Sequence, residues 1–188
     1  GRIESIQVGR PRHFDSEGDS DKPWISAIRK QAVCGSVRVG LTNIDGDEQA
    51  DVKHHGGPDK AVLAYAVQHY AAWNTEFPDL SFTAGGFGEN LTVSGFSEAA
   101  CCLGDIMQIG ECLLQVSQPR QPCWKLSRRW KLPQLTVLVQ QQGRTGWYYR
   151  VLREGTIAAG LSIELIERPF PDFTVAWALS VMYAKPRS

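Results

Sequence analysis

The sequence predicts a mainly β (α+β) protein: a closed or nearly closed β-barrel of short strands with a few helices packed outside. Three observations carry this expectation. Short apolar or alternating runs recur along the chain, separated by Gly- and Pro-containing turns. Few stretches have helical apolar spacing. Strands do not alternate with helices as a doubly wound sheet requires.

Residues 3–8 read as a first strand, and the polar run 10–23, with Pro, Gly and several Asp, as a loop. Val37, Val39 and Leu41 alternate with Ser36 and Arg38, which predicts a strand over 33–41. Residues 46–59 are rich in Gly, Asp and His and read as one long loop or turn region. A buried strand follows at 61–65, then a helix over 68–77 with Tyr70, Ala71, Trp73 and Phe77 at helical spacing, stopped by Pro78. Gly85-Gly86-Phe87-Gly88 is a turn cluster ahead of a strand at 91–93. Runs 106–109 and 112–117 flank Gly110-Glu111 and predict a hairpin. Pro119, Pro122 and Pro133 punctuate a loop that carries basic residues; a short helix over 135–142 ends at Gly143. Strands are expected at 147–152 and 161–166. A last helix spans 174–184, capped by Thr174 or Asp172, with Val175, Ala178, Leu179 and Met182 on one face.

A length of 188 residues suits one domain with a sizeable core, and 43% hydrophobic with 21% charged residues is a globular composition. The 20 Lys+Arg balance 20 Asp+Glu, so the basic excess of a nucleic-acid or membrane-surface binder is missing. No apolar run of about 18 residues predicts a membrane helix. The chain opens on Gly1-Arg2, without methionine or a charged-then-apolar leader, and reads as a processed end. Five cysteines with no CxxC spacing argue against a disulfide framework and fit a reducing cytoplasm. Cys34, Cys101, Cys102 and Cys112 read as small buried hydrophobes.

The most informative segment is Gln118-Pro119-Arg120-Gln121-Pro122-Cys123-Trp124-Lys125. Two prolines stiffen the loop, and Arg120 and Lys125 flank the cysteine. Neighbouring cations favour a thiolate, the form that ligates metals and attacks electrophiles. In His54-His55-Gly56-Gly57-Pro58, the glycines Gly56 and Gly57 allow a tight turn that approaches a ligand closely, and Lys60 follows. His55 can donate or accept a proton near neutral pH; of two adjacent histidines, at most one is expected at a site. Glu89 and Asn90 either bond a ligand or cap their turn. Asp47, Glu48 and Asp51 lack the calcium-loop pattern and are expected to order their loop or to orient a basic residue. Tyr148, Tyr149 and Arg150 read as strand packing, with Arg150 a candidate to reach a pocket. Neither a Walker loop nor a dinucleotide fingerprint occurs.

QPRQPCWK resembles the cysteine loop of MOSC (molybdenum cofactor sulfurase C-terminal) proteins, in particular the bacterial hydroxylaminopurine-resistance subgroup. GDEQAD (46–51), HHGGPDKAV (54–62), FGENL (87–91), GD (104–105) and GRTGWYYRVLREG (143–155) resemble the same subgroup in the same order. The resemblance covers about residues 1–170. It implies a MOSC-type β-barrel over 1–170 that binds molybdenum–molybdopterin, with Cys123 as the molybdenum ligand. On that footing Arg120, Lys125 and Lys60 hold the anionic cofactor, Asn90, Gly56 and Gly57 line it, and His55 serves catalysis with Cys123. Longer members carry a small helical domain after the barrel; residues 171–188 read as its remnant or its start.

The activity implied is reduction of N-hydroxylated compounds such as hydroxylaminopurines, with electrons from an external flavoprotein reductase. A cofactor or sulfur carrier without turnover is the alternative, and a metal-free thiol enzyme is the third. No nucleic-acid or membrane partner is expected, and a homodimer is one expectation for the assembly.

Overall fold

Strand β1 (Arg2–Val8) buries Ile3 and Ile6, and its edge partners are fixed by where apolar faces recur later in the chain. The remaining elements are β2 (Arg12–Phe14), β3 (Trp24–Ser26), β4 (Gln31–Ala32), β5 (Ser36–Val39), α1 (Val52–His55), a 3-10 turn (Pro58–Lys60), β6 (Val62–Ala66), α2 (Gln68–Glu76), β7 (Leu91–Ser94), β8 (Ile106–Ile109), β9 (Cys112–Pro119), α3 (Trp124–Trp130), α4 (Leu135–Gln141), β10 (Trp147–Arg153), β11 (Gly155–Ala158), β12 (Ile163–Glu167) and α5 (Val175–Met182). The computed structural model describes residues 1–15 and 22–184.

Eight strands form one sheet in the order β12-β8-β9-β10-β6-β7-β1-β4. Register shifts at Ile3/Ser5 in β1, Tyr148/Tyr149 in β10 and Leu165/Glu167 in β12 bend the strands and curl the sheet. The sheet curls until its β12 end reaches β1: Ile3 N–H donates to Leu161 O at 3.0 Å and Ile163 N–H to Gly1 O at 2.8 Å. The expected barrel is therefore present. Its pairings are antiparallel except β6–β7, which is parallel and connected through α2, a lone βαβ crossover.

Two cores share β6. Val62, Ala64 and Ala66 face the barrel interior with Ile3, Leu91 and Trp147. Tyr65, on the other face, joins Trp73, Phe82, Phe87, Leu126 and Leu135 in a second core between the sheet, α2, α3 and α4. A strand covered on both faces needs no polar alternation, hence the continuous apolar run. The second core matters for function, because it seats α3 against the barrel.

Several expectations are corrected. The 10–23 loop contains β2, paired with β3 as a separate ribbon; residues 16–21 of that loop lie outside the described residues. The strand expected over 33–41 is only Ser36–Val39, paired with β11, which lay unrecognised at Gly155–Ala158. The 46–59 loop holds α1, capped by Asp51 accepting from His54 N–H at 3.1 Å, and the 3-10 turn. The proline-punctuated loop holds α3: Pro122 precedes its N-cap and Pro133 follows it, so the proline-free interval is free to coil. In α5, Thr174 caps by accepting from Trp177 N–H at 2.9 Å, and Val175, Ala178 and Leu179 are buried as expected, but Met182 is exposed.

Candidate functional site

At the end of β9, Arg120 N–H donates to Gly146 O at 3.1 Å, and Gln121-Pro122 carry the chain to Cys123, the N-cap residue of α3. Cys123 O accepts from Leu126 N–H at 3.0 Å and Thr136 Oγ1 at 3.1 Å, while its thiol takes no part in the cap. The backbone is held from both sides and the half-buried sulfur is left for chemistry.

Cys123 borders an open cleft with an inner lobe. Lys30, Asp47, Leu63, Phe87, Asn90 and Arg120 wall that lobe. Gln118, Gln121, Pro122 and Trp124 wall an outer lobe. Cys123, Asp51, His55, Lys60, Lys125 and Tyr148 border both. Residues from five separate stretches of sequence thus meet around one sulfur.

Arg120 is 5% exposed. Its Nη2 donates to Phe87 O at 2.9 Å, whereas Nη1 is buried without a protein partner. A buried guanidinium with an unspent donor on a cleft wall is a seat for an anion or carbonyl. Phe87 O is presented by the Gly85–Gly88 turn, which Glu89 organises. The fully buried Glu89 carboxylate accepts from Gly85 N–H at 2.6 Å, Phe87 N–H at 3.1 Å, Thr92 Oγ1 at 3.0 Å and the Tyr70 hydroxyl. The same turn receives α3: Arg129 Nη1 donates to Gly85 O at 2.7 Å and Trp130 Nε1 to Gly86 O at 2.8 Å.

The expectation that an acid orients a basic residue holds at Asp47. Its carboxylate accepts from Gly9 N–H at 2.7 Å and from Lys30 Nζ, with both side chains nearly inaccessible. Burial lowers the Lys30 pKa, and Asp47 opposes that shift. Burial also lowers the His55 pKa, aided by Lys125 and opposed by Asp51, with smaller pushes from Arg120 and Lys60. His55 is therefore a neutral imidazole near pH 7. His54 borders only the outer lobe and bonds Asp51 Oδ2 through Nδ1 at 2.9 Å.

The other sequence candidates distribute unevenly. Lys60 borders the cleft and donates to His54 O at 2.7 Å. Lys125 Nζ stands 5.9 Å from the Trp124 ring centroid. Asn90 lies on the wall, but its side chain serves the backbone, accepting from Leu63 N–H at 3.1 Å and donating to Gln7 O at 3.3 Å. Gly56 and Gly57 do not line the cleft; they turn α1 into the 3-10 turn, Gly57 with a left-handed φ of 98°. Arg150 does not reach the cleft either, because Asp59 Oδ1 holds its Nε at 2.6 Å and Gln115 its Nη1 at 3.0 Å. Asp105, of the GD pair, is structural, accepting from Cys102 N–H at 2.8 Å and Arg168 Nη2 at 2.7 Å.

Two cleft residues escaped sequence reasoning. Lys30 sits in a stretch with no motif. Tyr148 lay within the expected strand, and the period of two was the available signal: Trp147 and Tyr149 belong to the barrel core, so Tyr148 takes the other face. Burial raises its pKa, so it stands as a phenol.

Chemically, the site offers one soft sulfur, an imidazole, a phenol and four cationic side chains, Lys30, Lys60, Arg120 and Lys125, set against three carboxylates, Asp47, Glu48 and Asp51. Among the described residues no group of three or more His, Cys, Asp or Glu could hold a metal ion.

The MOSC domain profile matches residues 51–164, a span that contains Cys123, His55, Arg120 and Tyr148. The chain belongs to the MOSC domain family. Within it, the chain is similar to YflK of Bacillus subtilis, 40% identical over 96% of this chain and 80% of that protein. The crystal structure of YiiM from Geobacillus stearothermophilus superposes with a TM-score of 0.80 at 38% identity, covering 97% of this chain and 83% of that one. These place the chain with the bacterial YiiM-like MOSC proteins. It is also 42% identical to a Gibberella moniliformis protein named Reductase, over 85% of this chain but 29% of that protein. In this MOSC chain, among the described residues, no helix is long and apolar enough to cross a membrane.

Proposed function

We propose that this MOSC protein holds a molybdenum–molybdopterin cofactor in the cleft and reduces N-hydroxylated compounds such as hydroxylaminopurines. One observation carries the reading: the half-buried Cys123 lines the same cleft as the buried Arg120, whose Nη1 has no protein acceptor. The donor set suits this group. A metal that reaches Cys123 meets one protein sulfur and must bring further ligands with it, which a pterin dithiolene does. The cofactor's phosphate needs cations and donors in a partly desolvated place, which Arg120, Lys125 and Lys60 supply. MOSC domains are in general associated with this cofactor, and a relative named Reductase supports a redox role.

When bound, the cofactor supplies two-electron redox chemistry. The net reaction is R–NH–OH plus two electrons and two protons giving R–NH2 and water, and an external flavoprotein reductase is the proposed electron source. Cys123 gives the thiolate ligand. Arg120 would hold the anionic end of the cofactor. His55 borders the same cleft as Cys123, and its ring N–H would share a proton with a leaving hydroxyl. Tyr148 would add a phenolic donor.

The test uses protein made in cells with and without molybdopterin synthesis, for wild type and Cys123→Ser. Expected are stoichiometric molybdenum and hydroxylaminopurine reduction with a reduced dye in wild type, and loss of both in Cys123→Ser, with equal thermal midpoints when both proteins are made without molybdopterin. A serine variant that kept metal and activity would overturn the assignment. Metal without activity in wild type would favour a carrier.

A further inference from the structure

The two lobes of the cleft differ in kind. The inner lobe carries buried polar groups, Lys30, Asp47 and Arg120 among them. The outer lobe carries Trp124, directly after Cys123 in sequence and 52% exposed. A solvent-facing tryptophan beside a reactive sulfur loses apolar contact that a core position would give it. Its ring is also braced. Trp24 of β3 packs against it with centroids 5.7 Å apart and planes at 56°. Arg128, one helical turn on, lies 5.4 Å from the Trp124 centroid and 5.5 Å from that of Trp24. Trp24 is stacked in turn on Phe14 at 4.5 Å and 24°. A rigid, half-exposed indole is pre-organised for contact, because little side-chain entropy remains to be lost.

We infer that the outer lobe is the subsite for the ring of the substrate, with Trp124 as its stacking platform and, as amide partners for the ring edge, Gln121 and the side-chain carbonyl of Gln118, whose Nε2 already donates to Asp59 O at 3.2 Å. The inference rests on the reductase reading above and adds to it the residue that selects flat heteroaromatic substrates over ring-free hydroxylamines. The amide of Gln carries both a donor and an acceptor, which suits a purine edge. Stacking is sequence-tolerant recognition, so Trp124 selects planarity and the amides refine the choice. Trp124 touches substrate in this account and takes no part in bond breaking.

The experiment compares molybdenum-loaded wild type, Trp124→Ala and Trp124→Phe on 6-hydroxylaminopurine and on N-methylhydroxylamine. The ratio of kcat/KM for the purine over the ring-free substrate is expected to fall roughly 5- to 100-fold in Trp124→Ala, through KM, and to recover most of the way in Trp124→Phe. An equal loss on both substrates, or none, overturns the subsite. Equilibrium dialysis of adenine against each protein, independent of turnover, is the second readout. Binding that wild type and Trp124→Phe show and Trp124→Ala lacks supports the platform even if wild type proves inactive, which would sink the reductase reading alone. Equal adenine binding by all three proteins, or none by any, overturns the platform.

Discussion

Replacing Glu89 by Gln tests how the cleft is held together. Glu89 Oε1 accepts from Gly85 N–H, the Tyr70 hydroxyl and Thr92 Oγ1; Oε2 accepts from Phe87 N–H. A carboxylate can serve four donors because it offers only acceptors. Glutamine can keep one oxygen in place, but its amide nitrogen then confronts the Phe87 N–H, donor against donor. The loss is one charge-assisted bond, about 1.5–3 kcal/mol, with a buried N–H left unpaired at about 1–3 kcal/mol. Relaxation of the turn recovers part, so a net cost of about 2–4 kcal/mol is expected, or roughly 1–3 M in urea midpoint. Function should fall with it, because Phe87 O positions Arg120 and Gly85 O and Gly86 O hold the α3 residues Arg129 and Trp130. The assays are urea unfolding by tryptophan fluorescence and molybdenum content of protein made in molybdopterin-producing cells. Both should drop together. A Gln variant of wild-type stability would refute the argument that four donors converge on a charged acceptor.

Other perturbations follow from the same geometry. Asp47→Asn strips Lys30 of its counter-charge in a nearly inaccessible position and should cost about 3 kcal/mol. Lys30 has a folded pKa below its unfolded value of 10.5, so the penalty should be smaller at pH 9 than at pH 6; equal urea midpoint losses at both pH values would refute this. His55 also has a lowered pKa, so the unfolded chain takes up its proton first as pH falls below 6.5, and wild type loses stability there. His55→Gln should shrink the gap between urea midpoints at pH 7.5 and 5.5, and an unchanged gap would count against a half-buried imidazole with a lowered pKa. Gly146→Ala places a methyl 2.3 Å from Ala64 O at a φ of 77°, so about 2 kcal/mol or more of stability should be lost; a thermal midpoint within a degree of wild type would be inconsistent with the β6–β10 contact.

How far the sequence could be read depended on how local the cause was. Strand pairs with their own turn, such as β8–β9 around Gly110-Glu111, were legible because register and turn lie within one short stretch. α3 was not, because prolines on both sides masked a proline-free interval whose helix is held by distant carbonyls at Gly85 and Gly86. β11 was missed for the same reason: its partner β5 lies far away in sequence, and Gly155 gives no strand signal. In the site, Cys123, Arg120, Lys125 and His55 were picked out by chemistry and spacing, and they do border the cleft. Lys30 was invisible because a lysine declares itself only when its surroundings are known.

The GGFGEN segment illustrates why a motif is not a list of ligands. Phe87, Gly88 and Asn90 line the inner lobe, yet Glu89 and Asn90 spend their polar side-chain atoms on the protein itself. Glu89 folds the turn; the turn's carbonyls then fix Arg120, just after β9, and Arg129 and Trp130 from α3. Cys123 caps that helix, so the place of its sulfur depends on a carboxylate elsewhere in the chain that it never touches. The segment therefore acts on any cofactor through Arg120 and Cys123. Substitution of Cys123, the proposed ligand, should remove metal while leaving the stability of the cofactor-free protein intact. Substitution of a turn-builder should lower both, and this difference separates Cys123 from Glu89 by experiment.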